Sequence, residues 1–245
     1  MTTYSRPHVA IISARRPDAV EAMQPHLDGL EATWYVAEGE GELYRERGAA
    51  KVVEAGPLCR ARNLAIERAF QEGKDCLQLS DDCTGFQWAT GTKREHVKPI
   101  TLRAVAMHLW KSADQVGAYL AGAMPTANPF YASPGKIQVA HFIVGDTMLI
   151  RQGTPLRFDE NLLLKEDYDY TAQHLYRHGR VARVGSLLAG YRHGSNPGGA
   201  VAYRDPHKEQ AAISLLKAKW PLAIKDNPRR ANEVLFKWPK PVKTR

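Results

Sequence analysis

At 245 residues, with 44% apolar and 24% charged side chains, the chain is long enough to bury a full core and lacks the bias of a disordered or fibrous protein. No apolar run approaches the about 20 residues that cross a bilayer, and the start, Met1 to Pro7, holds no apolar leader segment, so neither a membrane protein nor an exported one is expected. Cys59, Cys76 and Cys83 show no CxxC spacing, which argues against a disulfide framework and a zinc site. A reduced, cytoplasmic monomer with no membrane partner is the expectation.

The formal net charge is +8, and it is unevenly spread. Residues 208–245 carry ten Lys/Arg against three Asp/Glu, a balance of +7, which leaves +1 for residues 1–207. The chain is therefore expected to divide into a main domain over 1–207 and a basic helical or tail extension over 208–245. Such a cluster is either a solvated surface or the electrostatic footprint of a polyanion site.

Along the chain, His8-Val9-Ala10-Ile11-Ile12-Ser13 is a continuous apolar run, as in a strand buried on both faces of a parallel sheet. Pro17 suits a first helical turn, and Val20, Met23, Leu27 and Leu30 follow at helical spacing. Thr33 to Val36 reads as the next strand, and Gly39 to Gly48 as a loop or short irregular helix. Ala61 to Phe70 reads as a helix stopped by Gly73, and Cys76 to Ser80 as a strand. This alternation predicts an α/β fold: a Rossmann-like, mostly parallel central sheet flanked by helices.

The middle is less regular. Residues 84–100 are polar, with Gly85 and Gly91, while Thr101 to Trp110 reads as a helix and residues 124–136 as a loop. Gln138 to Gly145 and Thr147 to Arg151 read as strands parted by a kink at Gly145-Asp146. Glu166 to His178 reads as a helix ended by Gly179, Val181 to Val184 as a short strand, Gly194 to Gly199 as a loop, and Ala212 to Trp220 as a late helix.

Chemistry gathers at a few points. Asp81-Asp82 follows a strand, where carboxylates can hold a hard divalent cation, Mn²⁺ or Mg²⁺, against a diphosphate. An Asp there also serves as a turn cap. His193 lies at a strand-to-loop transition, where an imidazole would join Asp82 in a mixed N/O metal site. Arg192 beside it, Arg15 after the first strand, and Arg62-Asn63 at a helix start are placed to contact a nucleotide or its diphosphate, as is Asp81. Glu166-Asp167 opens a helix; acidic residues are favourable there without any function, yet either carboxylate also suits a general base.

In order, these pieces resemble the GT-A glycosyltransferases, in which an acidic metal-binding motif ends the fourth strand, a Glu-Asp motif marks the acceptor side and a late His often joins the metal. They are more closely similar to the TET-associated glycosyltransferases of bacteriophages in Ala61-Arg62-Asn63, Leu79-Ser80-Asp81-Asp82, Phe158-Asp159-Glu160-Asn161, Lys165-Glu166-Asp167-Tyr168-Asp169 and His193 with Gly198-Gly199-Ala200-Val201. The likeness spans roughly residues 8–205 and departs from a strict Asp-x-Asp at Ser80.

The resemblance implies a GT-A-like domain that transfers a sugar from a UDP-sugar to the hydroxyl of 5-hydroxymethylcytosine in phage DNA, in the host cytoplasm if the chain is phage-encoded. Lys217, Lys219, Arg229, Arg230, Lys237 and Lys240 are then the expected DNA contacts. The competing expectations are a glycan or other small acceptor, and an inactive nucleotide-sugar fold retained for binding DNA.

Overall fold

The computed structural model describes residues 3–192, 205–230 and 232–239. Its strands are β1 (His8–Ile12), β2 (Ala32–Val36), β3 (Lys51–Glu54), β4 (Cys76–Ser80), β5 (Cys83–Ala89), β6 (Val97–Ile100), β7 (Leu120–Met124), β8 (Ile137–Gln138), β9 (Thr147–Ile150) and β10 (Ala182–Tyr191), with a separate ribbon of β11 (Ile224–Asp226) and β12 (Val234–Phe236). The helices are α1 (Ala19–Met23), α2 (Gly41–Glu46), α3 (Leu58–Gln71), α4 (Leu102–Val116), α5 (Glu166–His178) and α6 (Pro206–Lys219).

Strands pair in the order β3-β2-β1-β4-β9-β7-β10-β5-β6, with β8 added against β10. The ladders set β1–β4, β6, β7 and β10 in one direction and β5, β8 and β9 in the other. The central sheet is thus mostly parallel, as the strand-helix alternation predicts. The apolar run of β1 is buried along its whole length because it lies between β2 and β4 with helices over both faces. One face packs on α1 and α4 around Trp34, Leu79 and Leu109. The other packs on α3 and α5 around Tyr35, Ile66 and Tyr170.

Several elements depart from the sequence reading, each for a local reason. β3 was not foreseen: its ends are exposed Lys51 and Glu54, as befits an edge strand that lacks a clear apolar run. Residues 84–100, polar and without a predicted element, are largely the β5–β6 hairpin, whose half-exposed pairing mixes polar residues with Phe86 and Trp88. Over Gln138 to Gly145 only Gln138 is in a strand; the following backbone leaves the sheet and hooks onto α5, where Ile143 N donates to Thr171 Oγ1 at 3.2 Å and that hydroxyl donates to Ile143 O at 3.3 Å. β10 runs on to Tyr191 through a register shift against β7. α6 starts at Pro206, earlier than Ala212, because the Asp205 side chain accepts from His207 N and Lys208 N.

The described part of the basic C-terminal region packs against the main domain. Ile213, Leu216, Ile224 and Val234 form an apolar cluster with Leu162, and Tyr168, Trp220 and Phe236 pack against it. Leu216 is completely buried. Truncating it to Ala should cost about 2–5 kcal/mol, the range for buried Leu-to-Ala changes. Urea unfolding of Leu216→Ala is expected to show one shifted transition; an unchanged midpoint would mean that this cluster does not hold the fold.

Candidate active site

A cleft of ≈ 1340 Å³ opens at the carboxyl ends of β1 and β4. This is where successive strand-helix units turn back, leaving loop residues free to face a ligand. Two groups of residues line it, Ser13–Arg16 with Ser80–Asp82 and Val144–Asp146 with Lys165–Tyr168, and they meet where Ser80 bonds Asp146. Two pieces of sequence some eighty residues apart, Asp81-Asp82 and Glu166-Asp167, therefore share one cavity.

In the first group, Asp81 is buried and fully engaged. Its Oδ2 accepts from Ser13 Oγ at 2.5 Å, and its Oδ1 from Arg16 Nη1 at 2.7 Å. Ser13 Oγ also meets the buried Tyr44 hydroxyl at 2.6 Å, and that hydroxyl accepts from Arg16 N at 3.1 Å. Burial pushes the Asp81 carboxyl up, while Ser13 and Arg16 oppose the shift. Asp81 thus anchors Arg16. The same Nη1 stands 3.9 Å from Asp82, which is only partly buried. Sequence reasoning singled out Arg15, which does line the cleft, but its left-handed backbone (φ 58) turns the chain so that Arg16 reaches the carboxylates.

The second group hangs on Arg62. From α3, its Nε meets Glu166 Oε1 at 3.2 Å and its Nη1 donates to Gln78 Oε1 at 3.0 Å; Gln78 Nε2 donates back to Arg62 O at 2.8 Å. Both charged side chains are nearly shut off from solvent, at 5% and 9% exposure, which makes this a buried ion pair. Glu166 lines the cleft too, but its carboxylate is tied to this guanidinium. Asp167 faces the cleft, where its Oδ2 accepts from Gly145 N at 3.0 Å and its Oδ1 from Tyr168 N at 2.9 Å. Burial and the neighbouring Glu166 charge push its carboxyl up to about 7.

Gly145 is the residue that sequence reasoning passed over as a kink. A Cβ there would lie 2.7 Å from Arg62 Nη2 and 3.5 Å from Asp167 Cβ, so a side chain at this position would press on the end of the guanidinium. Asp146 beside it was likewise not singled out. Its carboxylate accepts from Ser80 Oγ at 3.3 Å and its carbonyl from Ser80 N at 3.0 Å, so the serine that breaks the strict Asp-x-Asp pattern brings in an acidic group from another loop.

Other expected site residues are placed differently. Asn63 does not line the cleft; its amide accepts from Phe158 N at 2.8 Å and donates to Phe158 O and Glu160 Oε1, each at 3.0 Å, so it binds the loop before α5 rather than a nucleotide. Arg62 lines the cleft with its charge matched by Glu166. Arg192 joins the site at least through its backbone, whose N–H donates to Asp82 O at 3.2 Å. His193 lies outside the described residues.

Among the basic residues, Lys219 turns inward to Asp159 and to the fully buried Asp169, each within 3.0 Å, and Trp220 Nε1 donates to Asp169 at 2.7 Å. Lys219 therefore ties α6 to α5 and is not part of a surface stripe. Lys217 pairs with Asp226 and Arg230 with Glu233, while Arg229 and Lys237 are exposed and Lys240 lies outside the described residues.

Among the described residues there is no group of three or more His, Cys, Asp or Glu side chains arranged around a metal. The donor set still fits a hard cation carried by a diphosphate, because Mg²⁺ and its like take one or two protein carboxylates and leave the rest to phosphate and water. Asp82 is the carboxylate placed for that, with Asp146 nearby; both raise the proton affinity of the buried Cys83 thiol, after burial itself.

No protein-family model matches the chain, and no curated protein does. Among solved structures, S. aureus TarS 1-349 in complex with UDP matches with a TM-score of 0.47 at 14% identity, over 89% of this chain and 73% of that one. Mannose-1-phosphate geranyltransferase from Thermus thermophilus matches with a TM-score of 0.35 at 14% identity, over 75% of this chain and 57% of that one. Scores this low carry no argument about activity.

The buried pair yields a direct test. Arg62→Met leaves Glu166 buried without its partner and should cost about 3–5 kcal/mol of stability. Adding Glu166→Leu should recover most of that loss, since an apolar pair of similar volume commonly replaces a buried ion pair. Denaturant unfolding of the two single variants and the double variant measures the coupling; strictly additive losses would show that the two side chains do not act as a pair.

Proposed function

We propose that this chain is a metal-dependent glycosyltransferase that moves a sugar from a UDP-sugar to the hydroxymethyl oxygen of 5-hydroxymethylcytosine in DNA. The observation that carries the proposal is the single cleft with two chemically different sets of residues. Arg16 and Asp82 stand at the strand ends, and in the same cleft Asp167 holds a carboxylate of raised proton affinity. A departing diphosphate needs cationic groups, and an attacking alcohol needs a base; the two sets supply one each. The UDP-sugar donor and the DNA acceptor come from the residue resemblance over 8–205, and the concentration of charge in 208–245 agrees with a DNA acceptor.

In this reading Arg16 is the guanidinium nearest the donor's diphosphate, pre-positioned by Asp81 and Ser13 so that it need not reorganise as charge develops. Arg15 lines the same cleft, and the Arg192 backbone N–H donates to Asp82 O. Asp82, with His193 from the following loop, would hold the Mn²⁺ or Mg²⁺, which when bound neutralises leaving-group charge. Asp167 takes the proton from the acceptor hydroxyl. Glu166 is the weaker candidate for base because Arg62 holds it in its ionised pair. The Gly145 and Tyr168 amides fix the Asp167 carboxylate while each oxygen keeps a lone pair for the acceptor.

Mass spectrometry of hydroxymethylated DNA incubated with a panel of UDP-sugars tests the proposal. The expected result is the mass of one added sugar with a particular donor and none on unmodified DNA. Asp167→Asn should lower the rate by about 10²–10⁴-fold, the range for a general base. Asp82→Ala or excess chelator should abolish transfer, with Mn²⁺ or Mg²⁺ restoring it after chelation. No transfer to DNA from any donor would overturn the acceptor assignment, and full activity in chelator would overturn the cation's role.

A further inference from the structure

Phe142 and Tyr168 stand on the Asp167 side of the cleft with their rings stacked, centroids 4.0 Å apart and 13° from parallel. Phe142 is half-buried and belongs to none of the apolar clusters that hold the fold together. An aromatic ring that lines a cavity without filling a core is contact surface for something that enters the cavity. Tyr168 immediately follows the carboxylate assigned as base, so whatever stacks here lies beside that group.

The stack continues outward. Phe236 lies 6.2 Å from Phe142 and 6.3 Å from Tyr168, and Trp238 is parallel to Phe236 at 6.3 Å. Phe236 and Trp238 are also part-exposed, and Lys237 between them is exposed. A band of rings thus runs from the base to the C-terminal ribbon, where the chain's positive charge is concentrated. Aromatic faces beside basic groups are how unstacked nucleobases and their backbone are held without reading sequence.

We propose that Phe142 and Tyr168 form the acceptor platform, a stacking site for the pyrimidine ring of a nucleotide swung out of the duplex, with the Phe236–Trp238 ribbon and Lys237 flanking its backbone. The proposal rests on the reading of the cleft as a DNA glycosyltransferase site and specifies how the acceptor is seated. Enzymes that do chemistry on a base inside a duplex reach it by swinging the nucleotide out of the stack, and the proposal takes that route here. Rings already stacked in the wall offer the extruded base a replacement for the neighbours it loses.

The test uses the full chain and an oligonucleotide carrying 5-iododeoxycytidine at the target, whose C5 substituent occupies the place of the hydroxymethyl carbon. Ultraviolet cross-linking followed by peptide mass mapping should put the adduct on Phe142 or Tyr168. Phe142→Ala should bind hydroxymethylated DNA about 5- to 150-fold more weakly, as expected for removal of one stacking partner. Tyr168→Phe, which keeps the ring, should bind like the wild type. Adducts confined to the C-terminal ribbon, or wild-type DNA affinity in Phe142→Ala, would overturn the platform. The cross-link does not require turnover. A cross-link at Phe142 without sugar transfer would therefore defeat the glycosyltransferase reading and leave the platform standing, and transfer with no cross-link there would do the reverse.

Discussion

Arg62 carries its guanidinium from α3 into the interior between β4 and the start of α5, where it meets Glu166 and Gln78. A charge in that position is costly unless it is both paired and hydrogen-bonded, and here it is both. The arrangement leaves little freedom. Gln78 fixes Arg62 to the strand that ends in Asp81-Asp82, and Glu166 fixes it to the helix that carries Asp167. One cation therefore sets the relation between the two groups of cleft residues. Gly145 completes the arrangement, since a side chain there would press on the end of the guanidinium.

A second layer of polar contacts supports the same wall from behind. Asn63 grips both backbone groups of Phe158, Asp159 and Asp169 share Lys219, and Lys165, whose left-handed backbone turns the chain into α5, donates to Asn232 O and pairs with Glu209 of α6. The residues that lie apart in the sequence as Ala61-Arg62-Asn63, Phe158 to Asn161 and Lys165 to Asp169 are thereby a connected set. Some, such as Asn63, Asp159 and Asp169, orient a neighbour, while others line the cavity. Within this set Asp167 and Tyr168 are the groups that the proposed reading offers to an acceptor, and α6 is tied to α5 through Lys219 and Asp169.

How far the sequence foretold this depends on the range of the interaction. Strand β4 and helix α5 were readable because a local signal bounds each: an apolar run ending in Asp81-Asp82, and Glu166 at one end with Gly179 at the other. The fold class followed from the same alternation. The pairings were not readable. Nothing local distinguishes Arg16 from Arg15, because the choice lies in the left-handed turn at Arg15. Lys219 looked like one more surface charge until Asp169, fifty residues earlier, proved to be its partner. Gly145 reads as punctuation in a sequence and as a close approach only when Arg62 is seen against it. The β5–β6 hairpin was missed because its half-exposed strands lack the apolar runs that mark the interior ones.

The central claim is that the two groups form one reaction site in which Asp167 is the base. Burial and the Glu166 charge raise its carboxyl to about 7, so it is protonated and inactive in acid and becomes competent as pH rises through that value. The pH dependence of sugar transfer at saturating donor tests this most directly. The account predicts an ascending limb with a midpoint well above the ordinary carboxylate range, which disappears in Asp167→Asn. A rate that stays flat from about pH 5 to about pH 8, or a limb that survives in Asp167→Asn, would contradict it.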